Sequence, residues 1–199
     1  MFTPDDLQRL FGTEEFKTKF DTHYKYWVPL LGLYTGARLE EICQLRVEDI
    51  KLDKDIWIID INDDYDKRLK NKNAKRIIPI HPKLIELGFL DRVQYLKLAG
   101  KDRVFCDLQR GRDGYGTVAS KWFARYRARC GITEDGKVFH SFRHTFIDHL
   151  KQKGVAIDKI AALVGHEDQS MTSGRYGKAY GADVLLEVVK QFEFGIKTT

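Results

Sequence analysis

The stretch IWIIDINDDYDKRLKNKNAKRIIPI, residues 56–80, decides how the rest of the chain is read. It opens on a β-branched and aromatic run, residues 56–61, and closes on Ile77, Ile78 and Ile80. Between these lie the polar, basic residues Asn62 to Arg76. Two apolar runs of strand length flanking polar sequence predict an antiparallel pair joined by a long basic turn. Pro79 cannot donate to a ladder and belongs at an edge or a strand end. Outside this stretch the apolar residues recur at helical spacing. The expected fold class is therefore α+β: one mostly helical domain with a small peripheral antiparallel β-sheet.

On the N-terminal side, residues 5–20 read as a helix capped near Thr3, with Pro4 in its first turn. Residues 22–34 are almost continuously apolar and aromatic, as expected of a buried helix. Thr35-Gly36-Ala37 breaks it, and residues 38–45 resume helical spacing with Leu39, Ile42 and Cys43 on one face. On the C-terminal side, helices are expected at about 82–99, 115–130, 140–153, 156–164 and 182–193, with Gly111 to Gly116 as a turn. There are no internal repeats and no low-complexity linkers.

Length and composition fit a globular chain: 199 residues, 43% hydrophobic and 32% charged. The most apolar stretch, Trp27 to Leu33, is too short to cross a membrane and contains Pro29. The N-terminus lacks the basic and apolar regions of a secretory signal. Cys43, Cys106 and Cys130 are widely spaced and odd in number, so they are expected to be reduced, cytosolic and mostly buried. The net charge of +5 is unevenly spread. Residues 1–64 hold 8 Lys/Arg and 14 Asp/Glu, whereas residues 65–199 hold 26 and 15. A cationic portion beside an acidic one fits a polyanion-binding face, and equally an unevenly charged solvated surface.

Chemistry-bearing residues cluster in the motifs that follow. Arg38 stands after Thr-Gly-Ala at a predicted helix start, where free N–H groups and the helix dipole favour a phosphate; Glu41, one turn on, can hold its guanidinium. His140-Ser-Phe-Arg143 opens another predicted helix, with imidazole and guanidinium on one face. His166 follows Gly165 just past helix 156–164. Two arginines suit a phosphoryl group that gains charge, because each fork binds two non-bridging oxygens. A histidine can donate to the same oxygens or carry a proton. Tyr176 sits in a polar, glycine-bracketed segment, residues 171–178. A phenol ionises only near pH ~10, so it acts as a nucleophile only beside groups that stabilise its anion. The basic turn carries six cations in residues 67–76. Most are expected to be exposed phosphate-gripping groups, while one lysine can reach a scissile phosphate and protonate the departing 5′ oxygen.

Taken together, residues 35–41 (TGARLEE), 69–79 (LKNKNAKRIIP), 140–145 (HSFRHT), 163–166 (LVGH) and 172–176 (TSGRY) resemble the tyrosine recombinase (phage integrase) family. The resemblance runs from about residue 20 to residue 180. Each motif alone is weak; the five in this order are specific. The resemblance implies that Arg38 and Arg143 grip the scissile phosphate of double-stranded DNA and that His140 and His166 hydrogen-bond it or shuttle protons. Tyr176 would attack to give a 3′-phosphotyrosyl link and a free 5′ hydroxyl. Glu41 would support the first arginine. Lys70 is favoured as general acid, with Lys72 as runner-up, because hairpin length varies and this chain has Lys70-Asn71 where the family commonly has Lys-Thr. Lys75, Arg76 and Arg175 are further candidates for DNA contact. So are Lys121, Arg125 and Arg129, at i, i+4 and i+8 of one helix, where a solvated face is the equal reading. No cofactor is implied, since the phosphotyrosyl link conserves the phosphodiester's energy.

The family reading places a catalytic domain at residues 1–180 and a C-terminal helix and tail at 181–199. It implies integration or excision of a mobile element by a synaptic tetramer on DNA, in bacterial or phage cytoplasm. The apolar stripe Val184, Leu185, Val188, Val189 and Phe192 fits packing on its own domain or docking onto a neighbouring protomer. Members also carry an N-terminal DNA-gripping helical domain. Only 37 residues precede Arg38 here, so half of that clamp is expected to lie outside this chain. Two readings compete: type IB topoisomerase-like strand relaxation, and a non-catalytic DNA-binding protein on the same fold. A zinc site at His140 and His144, four residues apart, is disfavoured because Arg143 beside them would repel a dication. His144 and His149 are read as structural.

Overall fold

Helix α3 (His23–Thr35) is the central pillar, with eleven of its thirteen residues buried. In the computed structural model, which describes residues 1–70, 74–166 and 179–195, it packs against α4 (Leu39–Cys43), α5 (Pro82–Glu86), α7 (Gly116–Arg129) and α8 (Ser141–Gln152). A helix apolar on every side has no face for solvent and must lie inside. It ends at Gly36, whose φ of +63° is left-handed. A Cβ at Gly36 would lie 2.7 Å from the ring of Phe146, so conformation and packing both require glycine there.

The sheet has three antiparallel strands in the order β1 (Ile50–Asp53), β2 (Ile56–Ile61) and β3 (Arg76–Pro79). The register sets Leu52 opposite Trp57 and Ile59 opposite Ile78. β3 is an edge strand and Pro79 is its last residue, as a missing donor requires. β1 is an addition to the expected pair; its alternation is too short to stand out from sequence. The long basic connection from β2 to β3 is anchored at its start by a buried pair, Lys67 Nζ to Asp49 Oδ1 at 2.6 Å. The expectation that this turn is mostly exposed therefore fails for Lys67.

The remaining helices are shorter than expected. Residues 5–20 split into α1 (Pro4–Phe11) and α2 (Glu14–Lys17), because Thr13 starts a new helix by accepting from the Phe16 N–H. Thr3 caps α1 in a capping box with Asp6. Residues 82–99 split into α5 and α6 (Phe89–Leu98) at Gly88, which has φ +91°. After α9 (Ile157–Val164), α10 (Ala182–Val189) lies on β3, α9 and β2 of its own chain. Residues 190–195 leave the helix, yet Phe192 is still buried, and its carbonyl accepts from His81 Nε2 at 2.9 Å. Leu185, Val188 and Val189 are buried with it. Only one cysteine, Cys43, is buried; Cys130 is half-buried and Cys106 exposed, which corrects the expectation of a mostly buried set.

Candidate active site

Three element ends meet at one place: the N-terminus of α4, the N-terminus of α8 and the C-terminus of α9. Arg38 is the N-cap of α4. Its backbone N–H donates to Glu41 Oε2 at 2.9 Å, and its Nη1 donates to Glu41 Oε1 at 2.8 Å. Arg38 Nη2 reaches the Gly165 carbonyl at 3.4 Å. Gly165 closes α9 with φ +67°, again a left-handed cap. On α8, Arg143 is 1% exposed, and its Nη1 donates to the Gly36 carbonyl at 2.9 Å. Two left-handed glycine caps thus each turn a carbonyl toward one of the two arginines.

The electrostatics are strongly cationic. Arg143 Nη2 is buried with no hydrogen-bond partner among the described residues. Burial first, then the charges of Arg38 and Arg76, push the Arg143 guanidinium down to about 9. His140 and His166 are both held below the ordinary imidazole value. For His140 the causes are burial, then His144, Arg143, Arg38 and His166. For His166 they are burial, then Arg143, Arg38, His144 and Arg76. Burial raises the Glu41 carboxyl, but the charge and hydrogen bonds of Arg76 and the bonds from Arg38 outweigh it, leaving it low. An unpaired buried donor in a cluster of like charges is costly. An anion with several acceptor oxygens relieves both problems at once.

Arg76 has a different placement from the DNA-contact role considered above. Its side chain is 5% exposed. It donates to Glu41 Oε2 at 2.8 Å, to the Leu163 carbonyl at 2.6 Å and to the Ala74 carbonyl at 2.8 Å. It therefore braces Glu41 from behind and ties β3 to α9. Lys70 is exposed on the β2–β3 connection, and Lys75 is exposed and paired with Asp63. Lys72, Arg175 and Tyr176 lie outside the described residues. On α7, Lys121, Arg125 and Arg129 are exposed. Arg125 and Arg129 line a cleft with Glu15 and Asp21, and Arg129 Nη2 binds Glu15 Oε2 at 2.9 Å. That face is partly neutralised within the chain.

His144 is the residue that the sequence reading set aside. It is exposed, its ring centroid lies 4.9 Å from that of His140, and its charge acts on both His140 and His166. Its i, i+4 spacing from His140 was the available signal. His149, by contrast, packs on Phe192 and faces the Gln191 carbonyl at 3.2 Å.

Known proteins share the sequence pattern and the fold. The model of the phage integrase family matches residues 1–181. A tyrosine recombinase of Pseudothermotoga lettingae is 30% identical over 192 residues, covering 96% of this chain and 57% of that protein. The tyrosine recombinase XerA of Pyrococcus horikoshii is 30% identical over 149 residues, covering 72% of this chain and 47% of that protein. Among solved structures, the integrase from mycobacterium phage Brujita superposes with a TM-score of 0.63 at 19% identity, over 96% of this chain and 57% of that one. The XerH site-specific recombinase bound to its difH substrate gives 0.58 at 18% identity, over 94% and 47%. At such identities the structures speak to the fold. The chain spans about half the length of the curated relatives it matches. With its family model covering nearly the whole sequence, the chain belongs to the phage integrase family.

Proposed function

We propose that this chain is the catalytic portion of a site-specific DNA recombinase. One observation carries the reading: Arg143, buried and with an Nη2 that has no partner among the described residues, stands in a cationic cluster with Arg38, His140 and His166. Such a cluster suits a phosphodiester whose non-bridging oxygens accept from both guanidinium groups. DNA is the partner for which XerH and the Tn1549 transposon integrase, both solved with DNA, offer precedent.

In this reading the Tyr176 oxygen attacks the phosphorus. The P–O5′ bond breaks, the 3′ phosphate stays on the tyrosine, and the 5′ oxygen takes a proton from Lys70. The tyrosine proton passes to His140 or His166, whose charged forms are disfavoured before DNA binds by partial desolvation and the neighbouring cations. Reversal with another 5′ hydroxyl rejoins the strand. Exchange between two duplexes implies a synaptic tetramer. Docking of the tail onto a neighbour would require α10 and Phe192 to leave the seat they occupy in their own chain.

The test uses a nicked suicide DNA substrate and denaturing gels. A protein–DNA adduct is expected with the wild-type chain and none with Tyr176→Phe. An adduct that persists in Tyr176→Phe overturns the nucleophile assignment.

A further inference from the structure

An arginine-rich cleft lies along α4 and reaches its C-cap, Gln44. It is lined by Arg68, Arg110, Arg112, Glu40, Asp66 and Tyr115, with Asp113 beside them. All three arginines are exposed. Three carboxylates share the lining; Arg110 is paired with Asp66, while Arg68 and Arg112 make no ion pair among the described residues. Glu40 accepts the Tyr115 and Gly116 N–H groups at 2.8 and 2.7 Å, holding the start of α7. Asp66 accepts from Arg103 Nη2 at 2.5 Å and from the Tyr115 hydroxyl at 2.6 Å, and Arg110 Nη1 stands 3.9 Å away from it. Asp113 is the remaining carboxylate of the lining.

Both arginine-bearing loops are pinned to α4. The Arg68 N–H donates to the side-chain oxygen of Gln44 at 2.9 Å, and Gln44 Nε2 donates back to the Arg68 carbonyl at 3.0 Å. Gln44 is buried and is the C-cap of α4. The loop bearing Arg110 and Arg112 is closed by the Gly111–Gly114 bridge. It is pressed onto Glu40 so tightly that a Cβ on Gly114, at φ +110°, would lie 2.4 Å from the carboxylate. Arg38 caps the opposite end of this five-residue helix. At the α-helical rise, the two ends stand about 9 Å apart. One short helix therefore spaces the catalytic cluster from three further guanidinium groups.

We propose that Arg68, Arg110 and Arg112 form a second phosphate clamp, which grips the DNA backbone beside the strand held at Arg38 and Arg143. The proposal rests on the reading of this chain as a DNA-acting enzyme, but not on the tyrosine chemistry. The cleft holds the duplex in register for cleavage and takes no part in the bond exchange. Guanidinium forks suit phosphate oxygens, and such contacts position a protein without reading sequence.

The test measures binding of a fluorescent 30-base-pair DNA duplex across a salt series. The triple variant Arg68→Gln, Arg110→Gln, Arg112→Gln is compared with the wild type and with a control triple, Lys17→Ala, Lys151→Ala, Lys190→Ala, which removes equal charge elsewhere. Each lost phosphate contact lowers the log–log salt slope by about 0.9. The cleft variant is expected to lose at least one unit more slope than the control and about tenfold in affinity. A slope change no larger than the control's overturns the clamp. If the triple variant fails to fold by circular dichroism, Arg112→Gln is compared with Lys151→Ala, and a slope lower by about 0.9 than that control's is expected, an equal slope overturning the clamp. Absence of adduct in the wild type would strike the Tyr176 assignment and leave the slope comparison standing.

Discussion

At the residue scale, Arg143 sets function against stability. Among the described residues its buried guanidinium has one acceptor, the Gly36 carbonyl, and its Nη2 has no partner. Arg143→Met keeps the volume and removes an uncompensated buried cation, a change that is often neutral or stabilising. We expect its melting temperature to be no lower than wild type in a thermal scan. Adduct formation on a suicide substrate should fall about 10²–10³-fold, the usual cost of deleting one preorganised donor. Glu41→Gln should behave in the opposite way. It leaves Arg76, 5% exposed, and Arg38 without their anion. Breaking a buried pair costs about 3–5 kcal/mol, which urea unfolding would register. Adding Arg76→Met should return part of that loss.

At the element scale, the helix ends matter more than the helices. Gly36 and Gly165 both stop a helix in the left-handed region, and both aim a carbonyl at an arginine. Gly36→Ala meets a strained φ and the Phe146 ring together. We expect a loss of about 2 kcal/mol or more in chemical denaturation, the mechanism being backbone strain plus overpacking. The C-terminal segment invites a second measurement. Phe192 is buried against Tyr34, Phe146 and His149. Phe192→Ala should cost about 3–5 kcal/mol as a core cavity. A much smaller loss in the isolated protein would mean that the segment does not sit in its own chain in solution.

At the scale of the whole molecule, pH and DNA binding are linked through the cluster. His140 and His166 have depressed values in the free protein. The unfolded chain binds protons first, so stability is lost as pH falls below about 6.5, the unfolded value, and through the folded values. Glu41 contributes in the usual carboxylate sense: its stabilisation is present above about 4.3, the unfolded value, and is lost as pH falls through its depressed folded value. A phosphate bound against the imidazoles favours their charged forms, so DNA binding near pH 6.5 should take up protons. Calorimetry in buffers of different ionisation enthalpy would measure the uptake. His140→Ala with His166→Ala should remove most of it.

Much of this protein was legible in one dimension. The switch of period at residues 56–80 marked the sheet, and the unbroken apolar run at 22–34 marked the central helix, because periodicity records which faces meet water. Arg38, His140, Arg143 and His166 announced themselves by standing at helix ends, Arg38 and His166 just after a glycine, a local feature with local causes. The charge of a turn does not reveal which of its cations find buried partners. Lys67 and Arg76 read as surface cations, yet each is paired inside, with Asp49 and Glu41, because β3 and the strand connection fold back over α4 and α9. Nor could spacing show that Arg68 shares one cleft with Arg110 and Arg112, which are distant from it in sequence. Sequence alone determined which groups sit at helix ends and which strands alternate, since those depend on neighbours within a turn or two. Tertiary structure alone decided which charges are neutralised and which remain open to a phosphate, since that depends on which distant carboxylates the packing brings within reach.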